Sequence, residues 1–185
     1  MLKKSACVGT GVENDVLSSL LLQAWRCALG DDKVIYLSGP ITTGLKLVEC
    51  VQNGFEIDDK LILRENSAAL IETAKRLRRT LGEPVLEPAT LSVPSWEQAE
   101  YLELWKKCIK NHARIVMFMP DWQYSVGCVT ELIFAKANGV LTQKIDGSEL
   151  TDQEVSTLIA QAKDRVNGFR QHPRLRPLHA TLEAV

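Results

Sequence analysis

Ile115 to Ala135 reads IVMFMPDWQYSVGCVTELIFA, and the order of its residues decides the fold. An apolar run that opens on β-branched residues and stops at Pro120-Asp121 is too short to span a membrane. It reads as a strand buried on both faces, the pattern of a parallel sheet. A turn follows directly. Ser125 is placed to cap the next helix, Gly127 permits close backbone approach, and Glu131 falls in the first or second helical turn. Strand, tight turn and a helix with an early carboxylate is how an open α/β sheet builds a site outside a strand's carboxyl end.

Outward from this segment, residues 12 to 29 carry an amphipathic helical pattern that Gly30 ends. Asp31-Asp32-Lys33 is a polar step into a short strand, Val34 to Leu37, which stops at Ser38-Gly39-Pro40. The stretch 41–64 mixes turn signals at Gly44, Asn53-Gly54 and Asp58-Asp59 with scattered apolar residues and reads as an insertion. Asn66 is the expected cap of a helix running to Leu81, which Gly82 stops. Val85-Leu86 is a second short strand, closed by Pro88. Ser95 is the expected cap of a helix from Trp96 to about His112. Beyond the central segment, Gly139 ends the helix, Val140 to Thr142 reads as a strand, 151–167 as an amphipathic helix, and the tail from Gln171 as irregular. Alternating strands and helices predict a single α/β domain over 1–185, a flavodoxin-like doubly wound three-layer sandwich with a parallel sheet. Its core spans 34–142, with a helical extension at 1–31 and a C-terminal helix and tail at 150–185.

The 22 Lys+Arg against 23 Asp+Glu give a net charge of -1. No basic footprint for a nucleic-acid polymer results. No apolar run reaches the roughly 20 residues of a membrane-spanning helix, and the start of the chain lacks the basic-then-apolar order of a signal peptide; a soluble, cytoplasmic protein is expected. The five cysteines show no C-x-x-C spacing and the three histidines stand alone, so neither a metal nor a cofactor is expected. Cys128 is the thiol that a helix N-terminus could activate, but no histidine spacing pairs with it.

Two turns compete for the site at the sheet's carboxyl edge, Ser38-Gly39-Pro40 and Asp121 to Gly127. Their backbone amides and the Ser38 and Ser125 hydroxyls can hold an anion or a sugar. Neither turn matches G-x-G-x-x-G or G-x-x-x-x-G-K-[ST], which disfavours a dinucleotide or P-loop site. Several residues allow two readings. Glu131 is either a catalytic carboxylate or an acid favoured by the helix dipole, and Asp121 either a catalytic acid or an Asx-turn residue. Tyr36 and Trp122 are either stacking platforms or core aromatics. Lys75, Arg76, Arg78 and Arg79 are either a solvated face or a phosphate site.

Tyr36-Leu37-Ser38-Gly39-Pro40-Ile41-Thr42, Asn66 with Ala74 and Leu77, Glu87-Pro88-Ala89, and Pro120-Asp121-Trp122 with Ser125, Gly127, Glu131 and Ala135 together resemble the nucleoside 2-deoxyribosyltransferase-like superfamily. The resemblance covers roughly residues 34 to 142. The spacing from Ser125 to Glu131 is also similar to that of the 2'-deoxynucleoside 5'-monophosphate N-glycosidases of that superfamily. The resemblance implies that Glu131 attacks C1' of a nucleoside or nucleotide, that the base leaves, and that the sugar ester passes to water or another base. This is the logic of a retaining glycosidase. It further implies that Ser125 holds the 5' end, that Ser38-Gly39-Pro40 line sugar and base with Tyr36 nearby, and that the chain forms a homodimer or higher homo-oligomer. Leu20, Leu21, Leu22 and Trp25 are the helical surface offered for that assembly. One departure stands out: the acid that members carry on the helix before the catalytic strand falls near Lys106, leaving Asp121 or Glu87 as strand-end substitutes. Two rival expectations follow, a non-catalytic nucleotide-binding or interaction module, and a glycohydrolase of NAD or ADP-ribose.

Overall fold

The computed structural model describes residues 10–30 and 33–185; the Asp31-Asp32 step lies outside them. Four strands, β1 (Val34–Ser38), β2 (Val85–Leu86), β3 (Ala113–Phe118) and β4 (Leu141–Lys144), form one sheet in the order β2-β1-β3-β4. Every pairing is parallel. The helices between them are α1 (Thr10–Leu29), α2 (Leu45–Asn53), α3 (Asp59–Leu81), α4 (Gln98–His112), α5 (Val126–Ala137), α6 (Asp152–Asn167) and α7 (Arg176–Glu183). The architecture is the α/β, flavodoxin-like three-layer sandwich that the element order predicts. No helix among the described residues is long and apolar enough to cross a membrane.

Side-chain alternation along the strands divides the core in two. Ile35 and Leu37 of β1, with Ile115 and Met117 of β3, pack on Leu70, Ala74 and Leu77 of α3. Tyr36, Val116 and Phe118 face the other way, into a larger cluster that includes Leu104 and Trp105 of α4 and Cys128, Val129 and Leu132 of α5. Right-handed crossovers leaving the central strands in opposite directions put α3 on one face and α4 and α5 on the other. Tyr36 and Ser38, two residues apart, therefore point to the α5 side. That placement makes the site.

Four local readings need correction. The stretch 41–64 is not an insertion: it holds α2, whose Leu47, Val48 and Val51 are core residues, and the start of α3. Its helical period was hidden because the helix is short and begins directly after Gly44, at φ 116. Asn66 caps nothing. Helix α3 begins seven residues earlier, where the Asp58 carboxylate accepts from the Leu61 amide, and Asn66 instead donates from Nδ2 to the carbonyls of Ile41 (3.1 Å) and Thr43 (2.7 Å). Helix α4 starts at Gln98 after Glu97, not at Trp96 after Ser95, and the Glu97 amide donates to the Glu100 carboxylate at 3.0 Å. Both spacings offer an acidic or amide residue three positions on, Gln98 for Ser95 and Glu100 for Glu97, so the sequence signal was degenerate.

The tail is not irregular either. Helix α7 buries Leu178 and Leu182, and Leu175 just before it, into the larger cluster. Leu178 is 2% exposed, and Leu178→Ala is expected to cost about 2–5 kcal/mol, read as a lowered denaturation midpoint. A tail that merely lay on the surface would show no such loss. Helix α1 docks through Trp25, stacked on Trp105 at 5.4 Å, with Leu21 and Leu22 also against the core, whereas Val16 and Leu20 face outward.

Candidate active site

The strand order reverses direction between β1 and β3, and a crevice opens outside their carboxyl ends, as the topology of open parallel sheets requires. Two turns are stitched together there. Gly44 donates its amide to the Tyr124 carbonyl (3.1 Å) and Thr43 its hydroxyl to Ser125 Oγ (3.2 Å), while Asn66 holds the first turn from α3 through its two carbonyl contacts. Gly39 sits in a crowded spot: a Cβ there would lie 2.7 Å from Met119 Sδ and 2.8 Å from Leu70 Cδ1, so a larger residue would have to displace those side-chain ends. The result is a cavity of about 480 Å³, within the range of small-molecule sites.

Glu131 lies at the cavity's inner wall and is only 5% exposed. Both its oxygens are occupied by strand β1: the Tyr36 hydroxyl donates to Oε1 at 2.7 Å and the Ser38 hydroxyl to Oε2 at 2.6 Å. Burial pushes its carboxyl up to about 7, against the two hydrogen bonds, which pull it down. Tyr36 in turn is raised well above its ordinary value by burial and by the neighbouring Glu131. The phenol is thus a fixed donor at any ordinary pH. A carboxylate held by two donors, with a cavity in front of it, can capture an electrophilic carbon or accept a proton.

Ser125 caps α5, its hydroxyl accepting from the Cys128 amide at 3.5 Å, and together with Gly127 it lines the cavity. Gly39 lines it too. Pro40 is not on the wall; it packs under Gly44. Asp121 and Trp122 are not on the cavity wall. Asp121 is an exposed turn residue at φ 62, the left-handed conformation that aspartate tolerates, and Trp122 is 3% exposed against Phe118 at 5.5 Å. Glu87 is buried as the cap of a short 3-10 turn, Pro88–Thr90, where its carboxylate accepts from the Ala89 (2.7 Å) and Thr90 (3.3 Å) amides. Lys106 is ion-paired with Glu103, and neither reaches the wall. Cys128 does, but burial, reinforced by Glu131, pushes its thiol up to about 12, so it is an inert thiol rather than a nucleophile.

The far wall escaped the sequence reading. Trp96, Tyr101 and Trp105 supply its aromatic surface, and Glu97 is its second carboxylate beside Gln98. Trp96 and Tyr101 meet edge to face at 5.2 Å, and the Tyr101 hydroxyl accepts from the Val93 amide (2.7 Å) and donates to the Val93 carbonyl (3.1 Å). That clamp fixes the loop over the cavity. The Glu97-x-x-Glu100 spacing was the available signal. Among the described residues no group of three or more His, Cys, Asp or Glu side chains is arranged to hold a metal.

A family model described as a domain of unknown function (DUF4406) matches residues 60–143, which take in the far wall and the α5 side of the cavity but leave out strand β1 with Tyr36 and Ser38. No curated protein and no solved structure matches the chain.

Proposed function

We propose that this cavity cleaves the N-glycosidic bond of a nucleoside or nucleoside 5'-monophosphate, with Glu131 as the nucleophile. The observation that carries the reading is the Tyr36–Glu131–Ser38 arrangement: a buried carboxylate, held at both oxygens, at the bottom of a cavity with an aromatic wall. In the reaction one Glu131 oxygen bonds to C1' while the C1'–N bond breaks and its electron pair leaves with the base, which takes up a proton. Water, or a second base, then displaces the sugar from the ester. The two hydroxyl donors orient the carboxylate and stabilise its charge without any reorganisation at the moment of reaction. The aromatic wall of Trp96, Tyr101 and Trp105 offers ring surface to a planar base, and the nucleoside 2-deoxyribosyltransferase-like motifs of β1 and α5 support the same assignment.

The test is a screen of the purified protein against nucleosides and 5'-monophosphates, with the free base detected by chromatography. Release of base from at least one of them is expected; tight binding without any release over many hours would favour a non-catalytic binding module instead. Nicotinamide freed from NAD would redirect the reading to that glycohydrolase.

The hydrogen bonds to Glu131 predict a specific pH effect. Because attack needs the carboxylate, kcat/KM should rise with pH through about 7. Both donors favour the charged form, so Tyr36→Phe and Ser38→Ala should each move that rise to higher pH and lower the plateau. An unshifted profile in both variants would detach these residues from the chemistry.

A further inference from the structure

We propose that the cavity selects an uncharged nucleoside over the corresponding 5'-monophosphate, and that Glu97 enforces the choice. This rests on the glycosidic reading above and narrows its substrate class. The wall carries two carboxylates, Glu97 and Glu131, and among the described residues no lysine, arginine or histidine. Three cations, one each on α2, α4 and α6, are engaged elsewhere. Lys46 pairs with Glu65, Lys106 with Glu103, and Arg165 with Glu49 while lying over the Tyr124 ring.

The end of the cavity at Ser125 is polar but neutral. Thr43 and Ser125 share a hydrogen bond, and a Cβ placed on Gly127 would lie 3.8 Å from Ser125 Oγ and 4.0 Å from Gln98 Nε2. The Gln98 amide therefore sits within reach of the same small volume as the two hydroxyls, a donor and acceptor set that matches a sugar hydroxyl. A phosphate monoester carries about -1.5 to -2 charges near neutral pH, and desolvating it without a cation is costly. The N-terminus of α5 offers only about half a positive charge, less than the two carboxylates oppose.

Glu97 is a solvent-exposed carboxylate on that wall, carried by an anchored backbone. Its backbone is tied by the Glu100 carboxylate, the preceding Trp96 is 7% exposed, and the Tyr101–Val93 clamp holds the loop. None of the ion pairs among the described residues involves it. Its field acts against an incoming phosphate and is indifferent to a hydroxyl.

The experiment compares the four common 2'-deoxynucleosides with their 5'-monophosphates. It uses kcat/KM for base release and, for ligands that are not turned over, calorimetric binding, both with the wild-type chain at low salt. The nucleoside is expected to be preferred by about tenfold or more. Glu97→Gln should cut that preference about threefold or more, with the change shrinking at high salt, and Gln98→Arg should add monophosphate binding by placing a cation beside Ser125. A wild-type preference for the monophosphate overturns the proposal, as does a preference unchanged in both variants. If no base is released from any substrate, the glycosidic reaction falls, whereas the binding preference still decides the charge selection on its own.

Discussion

Glu131→Gln is expected to reduce base release by about 10⁴-fold or more while leaving the protein folded. The amide has nearly the shape of the carboxylate, and its carbonyl can still accept from the Tyr36 hydroxyl that now reaches Oε1 at 2.7 Å. It cannot form a stable ester with C1', and it offers no negative charge to an oxocarbenium-like transition state. Removing a buried charge relieves a desolvation cost, so the variant should melt at or above the wild-type temperature near neutral pH. Turnover retained within about tenfold would remove Glu131 from the nucleophile's role, and a large loss of stability would show that the carboxylate is there for structure.

The second large effect is on stability rather than rate. The Glu131 carboxyl is raised from 4.5 to about 7 in the folded chain, so between those pH values the folded state binds the proton and the unfolded state does not. Stability therefore falls as pH rises through this window: no penalty applies below about 4.5, and the full penalty applies above about 7. At about 1.4 kcal/mol per unit, the change amounts to about 3 kcal/mol. His112 works in the opposite sense over part of the same range, since burial and then Arg26 lower its pKa. The informative quantity is thus the difference between wild type and Glu131→Gln in denaturant melts at pH 5 and pH 8. The variant should gain on the wild type by a few kcal/mol between the two. Parallel curves would show that the carboxyl titrates as it does in water.

Much of the fold was readable because its signals are local. The apolar runs at Val34, Val85, Ile115 and Leu141 became the four strands, and Gly30, Gly82 and Gly139 ended their helices in the left-handed conformation. Ser125 capped α5 as its position predicts. Where two caps competed at similar spacing, as at Ser95 and Glu97, the choice depended on Trp96 being drawn into the core, which is a tertiary event. The short helix α2 and the tail helix α7 were hidden for the same reason. Each is stabilised by packing leucines and valines against neighbours far away in the chain.

For the site, the sequence by itself determined which residues stand at the carboxyl ends of β1 and β3, because strand period and turn chemistry fix position and direction within a few residues. It singled out Tyr36, Ser38, Ser125 and Glu131 in this way. Only the tertiary structure decided that Tyr36 and Ser38 close on Glu131 across more than ninety positions, that Asp121 and Trp122 are not on the cavity wall, and that Glu97 and Gln98 face the cavity. Those contacts depend on which sheet face each side chain takes and on how α4 and α5 dock over it. Such distances arise from packing, and no local pattern encodes them.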